Sequence, residues 1–346
     1  MPLPARGRLR QALSAQRRAF VTGGSGFVGR HLVARLRAEG WDVLCATRAG
    51  SRTAALSALG ALVVPADLAR PETYAAALEG VEVAFHAAAV LRVPWRRSFL
   101  EANARLSRGV AAACAAQSAP VTLVHVSSLA AIGPARGAPL TEGSPARPIS
   151  LYGKSKLAAE RALEAWAGRL SISIVRPPMV FGEHDARSVG LYRMARRGWL
   201  PVPHDAEQRI SMIHGADLAA LLLQVAEQGE RRSAAGPAAG VYHAAHPAPP
   251  TAGEFAQLLG AATGVARVRP LRVPRALLWT SMAAGEVVAR VRDQPSVLNL
   301  DKAREATGGA WVCATDKITA LGFVPEATLA ERIAQTAAWY RAQGLL

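Results

Sequence analysis

Two side chains of complementary chemistry lie four residues apart in the stretch Tyr152-Gly-Lys-Ser-Lys156. A predicted helix opens here and continues to about Gly168, so we expect both side chains on one helical face. A phenol, with an ordinary pKa of about 10, transfers protons poorly at neutral pH. A fixed ammonium a few ångströms away favours the phenolate and lowers that pKa. The pair therefore predicts an acid/base tyrosine that is assisted by a lysine.

A serine pair precedes this helix. Residues Val121 to Val126 predict a buried parallel strand, which delivers Ser127 and Ser128 to the carboxyl edge of a sheet. A hydroxyl at that position can hold a substrate oxygen against the Tyr152 hydroxyl. We therefore expect Ser128 to act with Tyr152 on one oxygen atom.

The N-terminal part carries a glycine turn between an apolar strand and a helix. Phe20 to Gly29 reads Phe-Val-Thr-Gly-Gly-Ser-Gly-Phe-Val-Gly, and Arg30 to Glu39 continues as a helix closed by Gly40. Glycines in such a turn allow a sharp bend and a close approach of backbone to a pyrophosphate, which sits at the helix N-terminus. The turn predicts a dinucleotide site whose candidate residues are Gly23, Ser25, Gly26, Phe27, Val28 and Gly29.

A dinucleotide beside an acid/base tyrosine predicts hydride transfer to or from a nicotinamide ring. The positive charge of an oxidised nicotinamide would help Lys156 to lower the pKa of Tyr152. Lys156 could also bond the nicotinamide ribose, so that Tyr152 and Lys156 are cofactor-binding candidates as well.

The end of the second strand distinguishes NAD from NADP, because an acid there binds the 2′-hydroxyl and an arginine the 2′-phosphate. Trp41 to Thr47 predicts this strand, with Asp42 at its beginning and Arg48 and Arg52 just after its end. This arrangement favours NADP, with NAD as the alternative if the arginines are only solvated loop residues.

Two further strand ends contribute weaker candidates. Asp67-Leu68 follows a predicted strand at Leu62 to Ala66, where the acid can reach an adenine amino group or cap the next helix, Pro71 to Leu78. The small residues Ala87, Ala88 and Ala89 follow another strand and would let a dinucleotide lie against backbone.

Composition limits the class of protein. The chain has 346 residues, 51% of them apolar, which is enough for a substantial core. The net charge of +16 could indicate nucleic-acid binding, but the basic pairs are scattered and lack interleaved aromatic residues. Residues 1–18 contain five arginines and no acid, and we interpret them as a disordered basic arm, with a targeting or membrane-surface segment as the alternative.

The cysteines indicate a reducing compartment. Cys45, Cys114 and Cys313 lie far apart and show no metal-binding spacing, so we expect free thiols, no metal and a cytoplasmic protein. No apolar run reaches the length of an integral membrane segment.

Together these motifs resemble the extended branch of the short-chain dehydrogenase/reductase family. The resemblance covers nearly the whole chain from about residue 18 and rests on Thr22 to Gly29, Asp67-Leu68, His86 to Ala89, Asn103, Ser127-Ser128 with Gly133, Tyr152 to Lys156, and Arg176 to Gly182. It implies an α/β fold, a doubly wound parallel Rossmann sheet with a smaller C-terminal substrate-capping domain. It also implies NAD(P) as cofactor, Ser128, Tyr152 and Lys156 as the catalytic set, and Asn103 as a helix-backbone or water-relay position.

The resemblance also implies domain limits, a role for Pro178 at the nicotinamide end and a possible homodimer. We expect the NAD(P)-binding domain at residues 19–175, completed by parts of 210–245. The substrate-binding domain would comprise residues 176–209 and 246–346. Within it, residues 274–291 predict a long apolar helix that packs on this domain, with a membrane-surface or dimer role as the alternative.

The substrate is expected to be mostly apolar. Sugar-nucleotide enzymes of the family usually carry an asparagine three residues after the arginine of the Arg176 motif, where this chain has Met179, and a thioether cannot donate to a phosphate. The segment Arg209 to Asp217 resembles the hydroxysteroid and dihydroflavonol reductase branch. Candidate pocket residues are Trp95, Phe99, Met179, Phe181, Trp199 and Arg209.

The leading prediction is an NADP-dependent oxidoreductase that interconverts a carbonyl and an alcohol on such a small molecule. The alternative within the family is a sugar-nucleotide epimerase or dehydratase with tightly bound NAD. A third hypothesis, a cofactor sensor or nucleic-acid-binding protein with a vestigial site, is disfavoured by the intact Ser, Tyr and Lys set.

Overall fold

The computed structural model describes residues 17–90, 96–202, 207–291 and 299–346, with backbone alone for 96–99 and 289–291. Within these ranges the chain forms eleven strands. They are β1 (Arg18–Thr22), β2 (Asp42–Thr47), β3 (Leu62–Pro65), β4 (Val83–His86), β5 (Thr122–Val126), β6 (Ser171–Arg176), β7 (Met179–Phe181), β8 (Trp199–Val202), β9 (Met212–His214), β10 (Val241–His243) and β11 (Arg269–Arg272).

Eleven α-helices occur in the same described ranges. They are α1 (Phe27–Ala38), α2 (Ala54–Ala58), α3 (Arg96–Ala115), α4 (Leu151–Glu164), α5 (Val189–Arg196), α6 (Gly215–Gln228), α7 (Ala252–Thr263), α8 (Arg275–Val291), α9 (Leu300–Thr307), α10 (Asp316–Ala320) and α11 (Leu329–Ala342).

The main sheet contains seven parallel strands among the described residues, in the order β10-β6-β5-β4-β1-β2-β3. The order reverses beside β1, since β2 and β3 extend to one side and β4, β5, β6 and β10 to the other. In open parallel sheets ligands bind outside the carboxyl ends of the strands at such a switch point. The sheet therefore confirms the predicted doubly wound α/β fold and locates the crevice next to β1 and β4.

Helices cover both faces of the sheet and bury its central strands, whereas the edge strand β3 stays partly exposed. One apolar core lies against α1 and α6, and it includes Leu32, Leu36 and Leu222. The core on the other face includes Cys114 of α3 and Leu163 of α4. Burial on both faces explains why these strands are apolar rather than alternating.

One predicted element has a different form. The helix expected at Pro71 to Leu78 is two short 3₁₀ segments, Pro71–Thr73 and Ala75–Leu78, separated at Tyr74. The Tyr74 ring stacks on Phe20, and its hydroxyl donates to the Leu68 carbonyl. The buried ring holds the backbone of Tyr74 outside the helical region and interrupts the helix.

A smaller apolar core forms in the C-terminal half, around β7, β8, α5, α7 and α11. One stripe of α11, formed by Leu329, Ile333, Ala337 and Tyr340, is buried in this core. The segment around α10 contributes to a different core from the rest of the C-terminal part. Ile318 and Phe323 pack in the core between the main sheet and α1 and α6.

Candidate active site

The glycine turn after β1 leaves no room for a side chain at Gly23 or Gly29. A Cβ atom at Gly29 would lie 2.1 Å from the Gly23 carbonyl oxygen, and Gly23 itself has a φ of +75°. Gly26 precedes α1 as its N-cap and provides no capping side chain. Backbone amides at the start of α1 are therefore available to an anion, as a pyrophosphate requires. The turn fits a dinucleotide on these grounds.

The ends of β1 and β4 are tied together beside this turn. The Ala88 amide donates to the Thr22 side chain at 3.2 Å, and the Ala87 amide donates to the Thr22 carbonyl. A Cβ atom at Gly23 would lie 2.6 Å from the Ala88 nitrogen. The half-buried Ala87, Ala88 and Ala89 therefore form the floor of the crevice at the switch point, next to the glycine turn.

The end of β2 is basic. Arg48 and Arg52 are exposed, and neither forms an ion pair with any residue in the described part of the chain. Asp42, at the opposite end of β2, lies 3.4 Å from Arg37. The acid is therefore too far along the strand to reach a ribose at the carboxyl edge, whereas two unpaired guanidinium groups are available there.

Asp67 and Leu68 make contacts within the protein that stabilise the loop after β3. The Asp67 carboxylate accepts a hydrogen bond from the Ala69 amide and pairs with Arg70. The Leu68 side chain is buried in the core below α3. Any contribution of Leu68 to a ligand would have to come from its backbone, and the adenine contact of Asp67 stays a prediction.

The two serines after β5 have different environments. Ser127 is buried, and its hydroxyl donates to Glu160, which also accepts from the Arg176 guanidinium at 3.0 and 2.6 Å. Ser128 is half-buried, and its hydroxyl accepts from the Ala130 amide while it interacts with Tyr152. Ser127 therefore belongs to a buried polar cluster, and Ser128 faces the candidate acid/base group.

Tyr152 and Lys156 lie on α4 as predicted, but their electrostatics differ from the prediction. Burial raises the pKa of Tyr152, and its hydrogen-bonding interaction with Ser128 and the charge of Arg187 only partly oppose this. Lys156 donates to the Val126 carbonyl at 2.7 Å, and burial lowers its own pKa to about 8. The prediction of a lowered Tyr152 pKa is therefore wrong for the protein alone, because desolvation outweighs the neighbouring charges.

The Asn103 side chain holds the backbone of the loop after β4. Its side-chain oxygen accepts from the Val90 amide at 2.7 Å, and its amide donates to the Val90 carbonyl and to Ser155. Ser155 in turn donates to the Tyr152 carbonyl. Asn103 therefore connects the loop after β4 to the first turns of α4 through the Ser155 hydroxyl, and its role as a helix-backbone or water-relay position stays a prediction.

A group of charged residues that was not predicted from the sequence lies at the start of α4. The Asp301 carboxylate accepts from the amides of Leu151 and Tyr152, at 2.7 and 3.0 Å. Glu305 accepts from the Ser150 hydroxyl, and the Lys302 ammonium lies 5.8 Å from the Tyr152 ring centre. These residues are about 150 positions away in the chain, and no local motif marks them.

The predicted pocket residues have varied placements. Met179 is half-buried on β7, and Arg209 donates to the Pro249 carbonyl. Phe181 is buried in the C-terminal core with its ring against His214, so its prediction as a pocket wall is wrong.

Trp199 lines a surface depression with Arg197 and Arg269, and Pro178 is half-buried next to Met179. Trp95 and the Phe99 side chain lie outside the described residues.

Metal-ligating side chains and cysteines are the groups that could bind a metal cofactor in the described part of the chain. Within residues 17–90, 96–202, 207–291 and 299–346, no group of three His, Cys, Asp or Glu residues is arranged to hold a metal ion. Cys45, Cys114 and Cys313 are buried free thiols, and burial raises the pKa of each to about 12.

None of the helices in the described ranges combines the length and apolar character needed to cross a membrane.

The parallel sheet, its glycine turn and the Tyr152 site define an oxidoreductase that uses a nicotinamide dinucleotide. Residues 19–236 match the model of the NAD dependent epimerase/dehydratase family. The chain belongs to this family, within the extended short-chain dehydrogenases/reductases, and is an NAD(P)-dependent enzyme.

Two curated relatives and one solved structure illustrate the similarity. A ceramide reductase of Caulobacter vibrioides is 29% identical over 94% of this chain and 95% of the relative. A 4-hydroxy-2-methyl-3-oxo-4-farnesyl-3,4-dihydroquinoline-1-oxide ketoreductase of Stigmatella aurantiaca is 30% identical over 85% of this chain and 92% of its own length. The fold is similar to that of a dTDP-glucose 4,6-dehydratase from Streptomyces venezuelae, with a TM-score of 0.70, 23% identity and coverage of 94% and 97%.

Proposed function

We propose that this enzyme is an NADPH-dependent reductase that converts a ketone or aldehyde on a mostly apolar small molecule into an alcohol. The observation that carries the proposal is the pairing of Tyr152 with Ser128 at the carboxyl end of β5, beside the buried Lys156. The raised pKa of Tyr152 keeps its hydroxyl protonated at neutral pH. A protonated phenol is the form that can give a proton to a carbonyl oxygen as it is reduced.

Each residue of this set has a separate task. Ser128 holds the substrate oxygen against the Tyr152 hydroxyl, and Tyr152 donates its proton to that oxygen. The Lys156 ammonium stabilises the phenolate that remains. When bound, NADPH supplies the hydride. Gly23, Gly26 and Gly29 would hold its pyrophosphate, and Arg48 with Arg52 its 2′-phosphate.

Two observations support an apolar substrate. The side chain at position 179 is a thioether, which cannot donate a hydrogen bond to a diphosphate. The relatives described above include a ceramide reductase and a ketoreductase of a farnesyl compound, and both names refer to largely apolar molecules. We therefore propose a carbonyl compound with a long or bulky apolar part as the substrate class.

Replacing Tyr152 by Phe tests the catalytic assignment. We expect kcat to fall by at least about 100-fold, because the proton donor is lost, while NADPH binding stays nearly unchanged. Turnover of an apolar carbonyl panel and nicotinamide fluorescence measure the two effects. Tyr192→Phe is the matched control, since it removes the hydroxyl of a buried tyrosine in the C-terminal core. Full turnover in Tyr152→Phe would refute the assignment.

Replacing Arg48 by Ala tests the cofactor preference. We expect NADPH affinity to fall about tenfold or more, because a charge-assisted contact to the 2′-phosphate is lost, and NADH affinity to stay constant. Arg136→Ala is the control, because it removes an exposed arginine in the segment between β5 and α4. A wild-type preference for NADH, or purification with bound NAD, would contradict the NADP proposal and favour the epimerase alternative. Continuous net consumption of NADPH separates a reductase from an epimerase, which recycles its cofactor.

A further inference from the structure

The exposed apolar side chains of this molecule are concentrated in one segment. Six large hydrophobic residues are strongly exposed in the described part of the chain, and four of them lie between positions 271 and 288. They are Leu271, Leu277, Val287 and Val288, which are 48, 60, 60 and 48% exposed. A concentration of exposed apolar side chains in one segment indicates an interaction surface, whereas single exposed residues elsewhere need no explanation.

The outward face of α8 carries no charge. Its exposed positions within one sector of the helix are Leu277, Thr280, Ser281, Ala284, Val287 and Val288. Both hydroxyl groups donate to carbonyls of the preceding turn, Thr280 to Ala276 and Leu277, and Ser281 to Leu278. Both hydroxyl donors are therefore satisfied within the helix and do not depend on hydrogen bonds to water. The face is apolar over about 16 Å.

The opposite side of α8 is occupied by the protein. Leu278 and Met282 are half-buried, and the Glu286 carboxylate accepts from the Leu300 amide at the start of α9. The outward face is therefore exposed, because the contacts of α8 with the rest of the molecule are made by its opposite side.

An arginine-rich edge lies around α5 and around β11, the strand that precedes α8 in the chain. Two neighbouring depressions share Arg197, and their linings also include Arg193, Arg196, Arg269, Trp199 and Leu271. Among the described residues, Arg196, Arg197 and Arg269 have no acidic partner within ion-pair distance. Only two residues separate β11, which carries Arg269 and Leu271, from α8. The cationic edge and α8 are therefore joined by a two-residue connection, and the exposed Leu271 lies on the edge side of it.

We propose that the outward face of α8 and this arginine-rich edge form a docking surface for an anionic lipid bilayer. An apolar helix face bordered by arginines is the pattern by which proteins lie in the headgroup region of anionic membranes. A second copy of the chain is disfavoured, because a two-fold contact would bring the same arginines together and the net charge is +16. The inference goes beyond the proposed function and does not depend on it.

The position of α8 connects this surface to the catalytic helix. α8 packs on α9, and Asp301 of α9 binds the amides of Leu151 and Tyr152. A protein docked through α8 would thus hold the start of α4 close to the bilayer. This geometry suits a substrate that is dissolved in the membrane.

Vesicle binding of the purified full-length protein tests the proposal. We expect co-sedimentation with vesicles of phosphatidylglycerol and phosphatidylcholine, weaker binding in 0.5 M NaCl (roughly a 4 Å screening length), and little binding to phosphatidylcholine alone. The double variant Leu277→Glu/Val288→Glu should lower the partition coefficient about tenfold or more, because both side chains lose their apolar contact with the acyl region. Arg196→Gln/Arg197→Gln should lower it about tenfold, through lost attraction to the headgroups.

Matched controls distinguish this surface from general hydrophobicity and charge. Leu62→Glu/Val324→Glu changes the other two exposed hydrophobic residues, and Arg136→Gln/Arg169→Gln removes two exposed arginines elsewhere. Both controls should bind like the wild type. If the glutamate variant fails to fold by circular dichroism, Leu277→Ser/Val288→Ser replaces it.

Three results would overturn the proposal. They are failure of the wild type to bind anionic vesicles, wild-type binding by both variants of the surface, and equal losses in the controls. A dimer in solution that Leu277→Glu/Val288→Glu dissociates would assign the face to a second copy of the chain. Turnover of a water-soluble carbonyl substrate is measured in parallel, so that failure of docking and failure of the proposed reductase activity are told apart.

Discussion

At the residue scale, the buried ammonium of Lys156 is the feature with the clearest energetic consequence. The side chain is 2% exposed, and its direct acceptor is a neutral carbonyl, that of Val126. Burial lowers its pKa to about 8, and the negative charge of Glu160 one turn later opposes this. The charged form is therefore held at a cost, and the charged form is the one that the proposed stabilisation of a Tyr152 phenolate would use.

This cost predicts a pH dependence of stability. The pKa of Lys156 is about 8 in the folded protein and about 10.5 in the unfolded chain, so the unfolded chain binds more protons between these values. The free energy of unfolding should therefore rise with pH in that window, by about 1.4 kcal/mol per pH unit from this group. Below about pH 8 both states are protonated and the contribution is constant.

Urea unfolding of wild type and Lys156→Met between pH 7 and pH 10.5 measures the effect. The difference in free energy, wild type minus variant, should be flat below about pH 8 and should increase above it. A difference that stays constant through pH 10 would show that the lysine is not desolvated as described.

At the scale of elements, the first turn of α4 is held by a distant helix. Helix N-termini leave amides without intrahelical partners, and Ser150 satisfies one of them by accepting from Gly153. Asp301 of α9 accepts from the amides of Leu151 and Tyr152. Because Tyr152 lies in this turn, the position of its hydroxyl depends on a contact with the C-terminal part of the chain.

Replacing Asp301 by Ala should therefore affect both stability and turnover. We expect a loss of about 1 kcal/mol in the free energy of unfolding, typical of a lost cap, and a several-fold lower kcat with nearly unchanged NADPH affinity. Denaturant unfolding, steady-state kinetics and nicotinamide fluorescence measure these three quantities.

Thr328→Ala is the control for Asp301, since Thr328 caps α11 by accepting from the Glu331 amide, away from α4. It should lose similar stability and keep its kcat. An equal loss of kcat in both variants would show that Asp301 acts only through stability.

At the scale of the whole molecule, a buried ion pair joins the last helix to the sheet layer. Arg332 of α11 donates to both carboxylate oxygens of Asp217 on α6, at 3.0 and 2.5 Å, and both side chains are buried. α6 packs on α1, which carries the glycine turn. The pair thus connects the C-terminal core with the dinucleotide-binding part.

Arg332→Met should lower the free energy of unfolding by about 3 to 5 kcal/mol, because it leaves the Asp217 carboxylate buried without its charged partner, with only the Glu326 amide still donating to it. Thermal and urea unfolding measure this loss. Arg70→Met removes an exposed partner of Asp67 and should cost less than about 1 kcal/mol. If Arg332→Met is no more destabilised than Arg70→Met, the buried pair does not hold the two parts together.

Much of the fold and part of the site depend on local spacing, which a sequence shows directly. Gly23, Gly26 and Gly29 predict the turn after β1, and at Gly23 and Gly29 only glycine fits, because a Cβ atom there would meet backbone. Tyr152 and Lys156 share a helix face through the four-residue spacing alone. The apolar strands and the order of motifs were therefore sufficient to predict the doubly wound sheet and the family resemblance.

The tertiary structure decided what depends on contacts between distant residues. Desolvation set the pKa of Tyr152 above its ordinary value, because burial is a property of the packed molecule. Packing also placed Phe181 in the core and brought Asp301 to the start of α4 across about 150 residues of chain. A sequence pattern records which residues repeat at short range, whereas burial and long-range pairing are determined only when the whole chain is folded.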